Sequence, residues 1–360
     1  MKNKTKNIIV TVGFVLSLIF ILLINIVAED KEISITERRS LTQFPEVSIS
    51  KLFNGEVTGN FKNYAVDQFV GRDFFRYIKA FYSTNIYRQK DNNNYFEQKG
   101  AIYKMEYPVA DQNVQKNANK IKEIYDTYLK DMNVYYAIIP DKNYYLKNDD
   151  HLKLDYNLLK QIMNEKLSNL KYIDIWNSLE LEDYYKTDLH WKQENLIKTS
   201  NTIISGMNLS NIEKDYEKIQ VGDFYGTYYG QIYANISPDK MCILSNDTIN
   251  NCITYNYETK KEGKIYDKKE TKDKYDIFLS GATSIIEIEN TNATTDRELL
   301  IFRDSFGSSI APLLVENYKR ITLIDLRYVS SKILEKYIEF KHQDVLFLYS
   351  TVILNQDILK

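Results

Sequence analysis

The chain has 360 residues, 44% of them hydrophobic and 27% charged, an ordinary globular balance. Its 47 basic and 49 acidic residues leave a formal net charge of −2. With no basic stripe interleaved with aromatics, that balance argues against an electrostatic nucleic-acid binder.

Lys2, Lys4 and Lys6 precede an uncharged apolar run from Ile8 to Ala28. At about 1.5 Å per residue the run is about 30 Å long, the thickness of a bilayer's hydrocarbon core. Ile26 and Ala28 make a poor cleavage site, which needs small residues. Residues 1–28 are therefore expected to form a retained signal anchor in the cell membrane. It would cross once, with the lysines cytoplasmic and the rest on the extracellular or periplasmic side. Residues 29–59 are polar and read as a juxtamembrane stalk ending near Asn54 and Gly55.

Residues 60–360 read as one domain. Apolar positions at Phe61, Tyr64, Ala65, Phe69 and Phe75 predict an amphipathic helix over 61–88. A short strand is expected at 100–103 and a helix from about Val114. Val134 to Pro140, VYYAIIP, reads as a buried strand stopped by proline. Residues 155–169 look helical, 172–176 extended, and 191–205 helical. Glycines between short aromatic and β-branched runs mark 220–295 as a strand-rich insertion. Alternation resumes with LLIF (299–302), a helix over 306–318, ITLIDL (321–326), a helix over 331–341 and VLFLYS (345–350). Such alternation predicts an α/β fold with a mostly parallel sheet flanked by helices.

Cys242 and Cys252 flank a turn-rich segment, ILSNDTINN. They are either two free thiols or a disulfide across a hairpin, and pairing is the expectation carried forward. No further Cys or His cluster accompanies them, so no metal site is expected, and no cofactor is implied. The 30 tyrosines suit sugar stacking, although a coding bias toward Tyr, Asn, Lys and Ile explains the composition with less.

Open parallel sheets place reactive groups where strands end and helices begin. One such turn presents a nucleophile: in LLIFRDSFGSS, Ser305 follows the strand directly. Its N–H and the helix's positive end suit an oxyanion, but serine is equally the usual helix N-cap. A serine nucleophile needs a base, and the base an orienting partner. His151 lies in a charged stretch, and His342 precedes the last strand at its amino end. His190 stands two residues after Asp188, in YYKTDLHWKQ. In extended or turn backbone that spacing places carboxylate and imidazole on one side; the alternative is a capping Asp188 or Thr187 beside a surface histidine.

TDLHW and RDSFG together resemble the DHHW family and the related alginate acetylation proteins, which carry SGNH-hydrolase-like domains. RRSLTQFPEVS, DQFVGRDFF, AIIPDKNYY, DFYGTYYGQ, YDIFLSGA and IDLRY fall in the family's order over most of the region after the anchor. The resemblance implies a polysaccharide O-acetyltransferase with Ser305 as nucleophile, His190 as base and Asp188 as its orienter. It implies a polysaccharide acceptor and a membrane-bound O-acyltransferase as donor partner. An esterase running the same chemistry, or a silent polysaccharide-binding subunit, are the alternatives. Leu189 replaces the first histidine of the family's name, at a position expected to point away from the Asp–His side. Where many relatives read Gly-Gly-Asn, this chain has Ser280, Gly281 and Ala282. Either the Gly281 and Ser305 N–H groups suffice as oxyanion donors, or activity is reduced. Arg327 is a candidate for positioning substrate or supporting the oxyanion, or else the structural partner of Asp325 or Asp304. Tyr228 and Tyr229 are candidates for sugar contact.

Overall fold

The computed structural model describes the chain except for residues 1, 35, 36, 38, 148, 149, 233–235 and 267–272. It divides into two units, Met1–Asn92 with Gly230–Tyr233, and Asn93–Tyr229 with Ala234–Lys360.

The first unit begins with α1 (Lys2–Val27), a helix long and apolar enough to cross a membrane. Strands β1 (Ile33–Ser34) and β2 (Arg39–Ser40) pair antiparallel. Helices α2 (Ile49–Phe53), α3 (Glu56–Asp67) and α4 (Arg72–Phe81) follow. The single helix read over 61–88 is thus interrupted between Asp67 and Arg72. Gly71 stands there at φ +77, a left-handed conformation that a side chain disfavours. A wider π turn, Tyr82–Ile86, extends α4.

In the second unit, β3 (Tyr95–Gln98) and β4 (Ala101–Lys104) form a hairpin. Helix α5 (Asp111–Ile124) leads to β5 (Asn133–Ile139), α6 (Tyr156–Lys166), β6 (Lys171–Tyr172) and α7 (Ile197–Gly206). Strands β7 (Glu217–Phe224) and β8 (Asp239–Ser245) make an antiparallel ribbon of their own. Then come α8 (Asp247–Asn251), β9 (Ile253–Asn256), β10 (Lys261–Gly263), β11 (Ile285–Glu289), β12 (Glu298–Arg303), α9 (Phe306–Ile310), β13 (Arg320–Ile324), β14 (Asp344–Ser350) and α10 (Thr351–Leu354).

Eight strands form one mixed sheet, in the order β10-β9-β11-β13-β12-β14-β5-β6. From β13 to β6 the neighbours are parallel, while β11, β9 and β10 add on antiparallel at one edge. The stretch read as strand-rich therefore contributes both the separate β7–β8 ribbon and an edge of the main sheet. The central strands are buried along nearly their whole length. That is why they read as unbroken apolar runs and not as alternating ones.

Several helices are shorter than the periodicity predicts. Past Ile310 the chain tightens into a 3-10 turn, Ala311–Asn317, because Pro312 has no N–H to continue an α-helix. Over 331–341 only a 3-10 turn, Ser331–Lys336, forms. Trp191 belongs to a β-bridge with Tyr184, and α7 starts only at Ile197.

The cysteine pairing is corrected: Cys242 and Cys252 are both buried and unpaired. No hairpin joins them. Asn246 caps α8 through its side chain, so a helical turn follows β8, and Cys252 ends that helix inside the main core with Leu244 and Ile249.

Candidate active site

The parallel strands end together, and their ends build the site. β12 runs out at Arg303, and Asp304 takes over the work of joining elements. One of its oxygens accepts from Phe306 N–H at 3.0 Å, and the other from Ser350 N–H, at the end of β14, at 2.8 Å. The start of α9 is thereby capped by Asp304. Ser305 occupies the N-cap position but makes no side-chain capping bond. Its half-buried hydroxyl points elsewhere, to His190 Nε2 at 2.7 Å.

His190 sits in a tight, non-helical loop closed by the Tyr184–Trp191 bridge and by Tyr185 N–H donating to His190 O at 3.0 Å. Its Nδ1 lies 2.5 Å from Asp188 Oδ1, which also accepts the His190 backbone N–H at 2.9 Å. An ionised carboxylate only accepts, so Nδ1 carries the proton and Nε2 offers a lone pair to the Ser305 hydroxyl. Asp188 Oδ2 accepts from Thr227 N–H at 2.7 Å and from Thr227 Oγ1 at 3.1 Å. Burial alone would raise the Asp188 carboxyl. The electrostatic pull of the His190 ring and the hydrogen bonds from His190 and Thr227 outweigh it and hold the group well below the usual carboxylate range.

Three supports fix this arrangement. The first is Lys142, just past β5, whose buried ammonium donates to the carbonyls of Tyr185, Lys186 and Asp188 at 3.0, 3.3 and 2.8 Å. Burial lowers its pKa to about 7, against the pull of Asp188 and Asp239. The second is the tie between the histidine loop and α9: Trp191 Nε1 donates to Ser309 Oγ at 2.8 Å and Gln193 Nε2 to Ser309 O at 2.7 Å. The third is aromatic packing. The Tyr275 ring stacks on the imidazole at 3.9 Å, and its hydroxyl lies 2.9 Å from Ser309 Oγ.

Sequence reasoning missed Gly226, Thr227, Lys142 and Tyr275. Gly226 is where the 225–228 loop crosses Asp188 with no room for a side chain. A Cβ there would lie 2.1 Å from Asp188 Cβ and 2.5 Å from its Oδ2. The only signal was the glycine itself within DFYGTYYGQ.

The other sequence candidates are placed differently. Leu189 packs against the main core. Gly281 N–H donates to Phe278 O at 3.3 Å in a turn with φ +81, and a Cβ there would meet Asp276 Oδ1 at 2.3 Å. Arg327 forms a two-pronged pair with Asp325, at 2.9 and 2.6 Å. Burial would lower its pKa, but the Asp325 bonds raise it. Asp325 also faces the buried Arg303 at 3.4 Å. Tyr228 is buried, with its ring edge-on to Tyr95 and 5.0 Å from the Lys142 ammonium. Tyr229 is half-buried against the exposed ring of Tyr225, 4.3 Å between centroids. No group of three or more His, Cys, Asp or Glu suited to a metal occurs among the described residues.

Comparison with solved structures gives a DHHW family protein from Eubacterium siraeum, TM-score 0.61 at 19% identity, covering 74% of this chain and 95% of that one. PatB1 from Bacillus cereus is similar at TM-score 0.58 and 20% identity, covering 74% of this chain and 98% of that one. A PatB1 structure with a sulfonyl adduct superposes equally well, TM-score 0.58 at 19% identity, covering 74% and 97%. Comparison with curated protein sequences gives no match. The family model described as DHHW protein matches residues 153–324. That stretch, just under half of the chain, holds Asp188, His190 and Ser305 alike.

Proposed function

We propose that this protein is a membrane-anchored polysaccharide O-acetyltransferase with an SGNH-hydrolase-like layout, acting through an acyl-serine at Ser305. One observation carries the reading: Ser305 is relieved of helix capping by Asp304, and its hydroxyl is directed at an imidazole already oriented by Asp188. His190 Nε2 takes the hydroxyl proton as Ser305 Oγ attacks the acyl carbonyl. It returns that proton to the departing donor oxygen. A sugar hydroxyl then gives its proton to His190, attacks the acyl-serine, and the Ser305 oxygen leaves with the proton. The Ser305 N–H, at the helix entrance, is the oxyanion donor of this scheme. Lys142 and Thr227 hold the base in place, and the Tyr225–Tyr229 pair offers rings for a sugar face. Arg327, bound to Asp325, supports the strand ends. α1 is the single membrane span, with the catalytic unit outside the cell or in the periplasm. A membrane-bound O-acyltransferase fits as the acyl donor's source.

PatB1 has been captured with a sulfonyl adduct, and a sulfonyl group is what sulfonyl fluorides leave on an activated nucleophile. The test uses the full chain in detergent with an activated acetyl ester. An acetyl adduct on Ser305 in the intact mass, blocked by a sulfonyl fluoride and absent in Ser305→Ala, is expected. Adding a polysaccharide oligomer should move acetyl from water to sugar. Acetate release unchanged by the oligomer makes the protein an esterase. Ala282 and the engaged Gly281 N–H favour one further reading, a silent binding subunit. Wild type and Ser305→Ala equally inert, with no adduct, would establish it.

A further inference from the structure

In the first unit, α4 turns its two arginines inward and its phenylalanines outward. Arg72, Arg76, Ala80 and Ser83 recur at helical spacing and are turned inward. Both arginines reach Glu37, Arg76 at 3.1 Å, and Arg76 also donates to Gly230 O at 3.0 Å. Ala80 and Ser83 are buried. The outward side presents Phe74, Phe75 and Tyr77, which are 61%, 54% and 42% exposed. Phe75 lies 5.7 Å from both Phe69 and Phe74, so three exposed rings make one continuous patch. A helix in water turns its ionic face outward. A contiguous apolar patch with both arginines of the helix turned away from it, although Asp73 and Lys79 of α4 are also exposed, marks a surface that meets something apolar.

The end of α1 shows what that is. Val70 N–H donates to Asn25 Oδ1 at 2.9 Å, and Asn25 lies within the apolar helix, three residues before Ala28. Lys31 and Gln68 exchange two hydrogen bonds at 2.9 Å, and Tyr64 donates to Asp30 at 3.0 Å. The α3–α4 elbow is therefore tied to the last turn of α1. At about 1.5 Å per residue, Val70 meets α1 about 5 Å before the apolar run ends.

The geometry points to a lipid-docking elbow: Phe69, Phe74 and Phe75 insert into the outer headgroup–acyl boundary of the membrane that α1 spans. This rests on reading α1 as a membrane anchor. The patch begins at Phe69, next to the Val70 that bonds the last turn of α1, at the depth where aromatic side chains favour the interface, and Arg72 and Arg76 are paired with Glu37.

The test is fluorescence of the full chain in vesicles containing lipids brominated along the acyl chain. Three single variants, Phe74→Trp, Leu16→Trp and Ile212→Trp, are each read against the wild-type emission of Trp176 and Trp191. Leu16 lies within α1 and Ile212 is exposed in the second unit. Phe74→Trp and Leu16→Trp should each lose about half or more of their added emission, and Ile212→Trp should lose little. If Leu16→Trp is quenched and Phe74→Trp is not, the anchor stands and the elbow proposal falls. A blue-shifted but unquenched Phe74→Trp assigns the patch to a second protein or a second copy, and also overturns it. If neither is quenched, anchor and elbow both fall.

Discussion

Gly226→Ala is the most demanding test of how the site is held together. The methyl group would arrive 2.1 Å from Asp188 Cβ, 2.4 Å from Thr187 O and 2.5 Å from Asp188 Oδ2. Ordinary carbon contacts sit near about 3.5–4.0 Å, so the 225–228 loop must retreat by about 1 Å or more. The first bond lost is the 2.7 Å one from Thr227 N–H to Asp188 Oδ2. A hydrogen bond to a charged group is worth about 1.5–3 kcal/mol. If its loss frees the imidazole to swing, kcat/KM on an activated ester should fall about 10- to 150-fold, at 1.36 kcal/mol per decade. Thr227→Ala keeps the N–H and removes only the longer, 3.1 Å hydroxyl bond, so it should cost about tenfold, the low end of that range. Steady-state kinetics on the full chain in detergent, with circular dichroism to confirm folding, separates the two. A folded Gly226→Ala with wild-type kcat/KM, or equal losses in both variants, would refute the reasoning that Thr227 orients His190 through Asp188.

Two further outcomes follow from buried groups. Lys142 has its pKa lowered to about 7 by burial, against about 10.4 unfolded. Between these values the unfolded chain binds more protons, so stability should rise with pH from about 7 to about 10. Thermal melts should show that rise in the wild type and lack it in Lys142→Met, which should also lose activity as the Tyr185, Lys186 and Asp188 carbonyls lose their donor. For the cysteines, non-reducing mass spectrometry should show no linked peptide. Cys252, whose thiol burial pushes up to about 12, should be alkylated at pH 8 only after unfolding. A disulfide recovered from carefully alkylated protein would contradict the structure.

The sequence by itself determined the features that depend on local pattern. The long uncharged run, the buried central strands and their alternation with helices are all written in short-range periodicity, and the sheet's parallel core follows from them. Asp188 and His190 were legible as a pair because two residues of turn backbone are enough to align them. Ser305 was legible as a candidate because it follows an apolar strand directly. Tertiary structure decided what a linear pattern cannot hold. Whether Ser305 caps its helix or faces the histidine depends on Asp304, which must also reach the end of β14, 46 residues away in the chain. The carboxylate's second oxygen is satisfied by a loop 39 residues downstream, through a glycine needed for space and not for its backbone angles. Lys142 reads in sequence as one more polar residue after a proline. It becomes the floor of the histidine loop only because β5 ends beneath the three carbonyls it bonds. Side-chain contacts across the sheet's carboxyl end depend on register and packing, and those are set by the whole core at once.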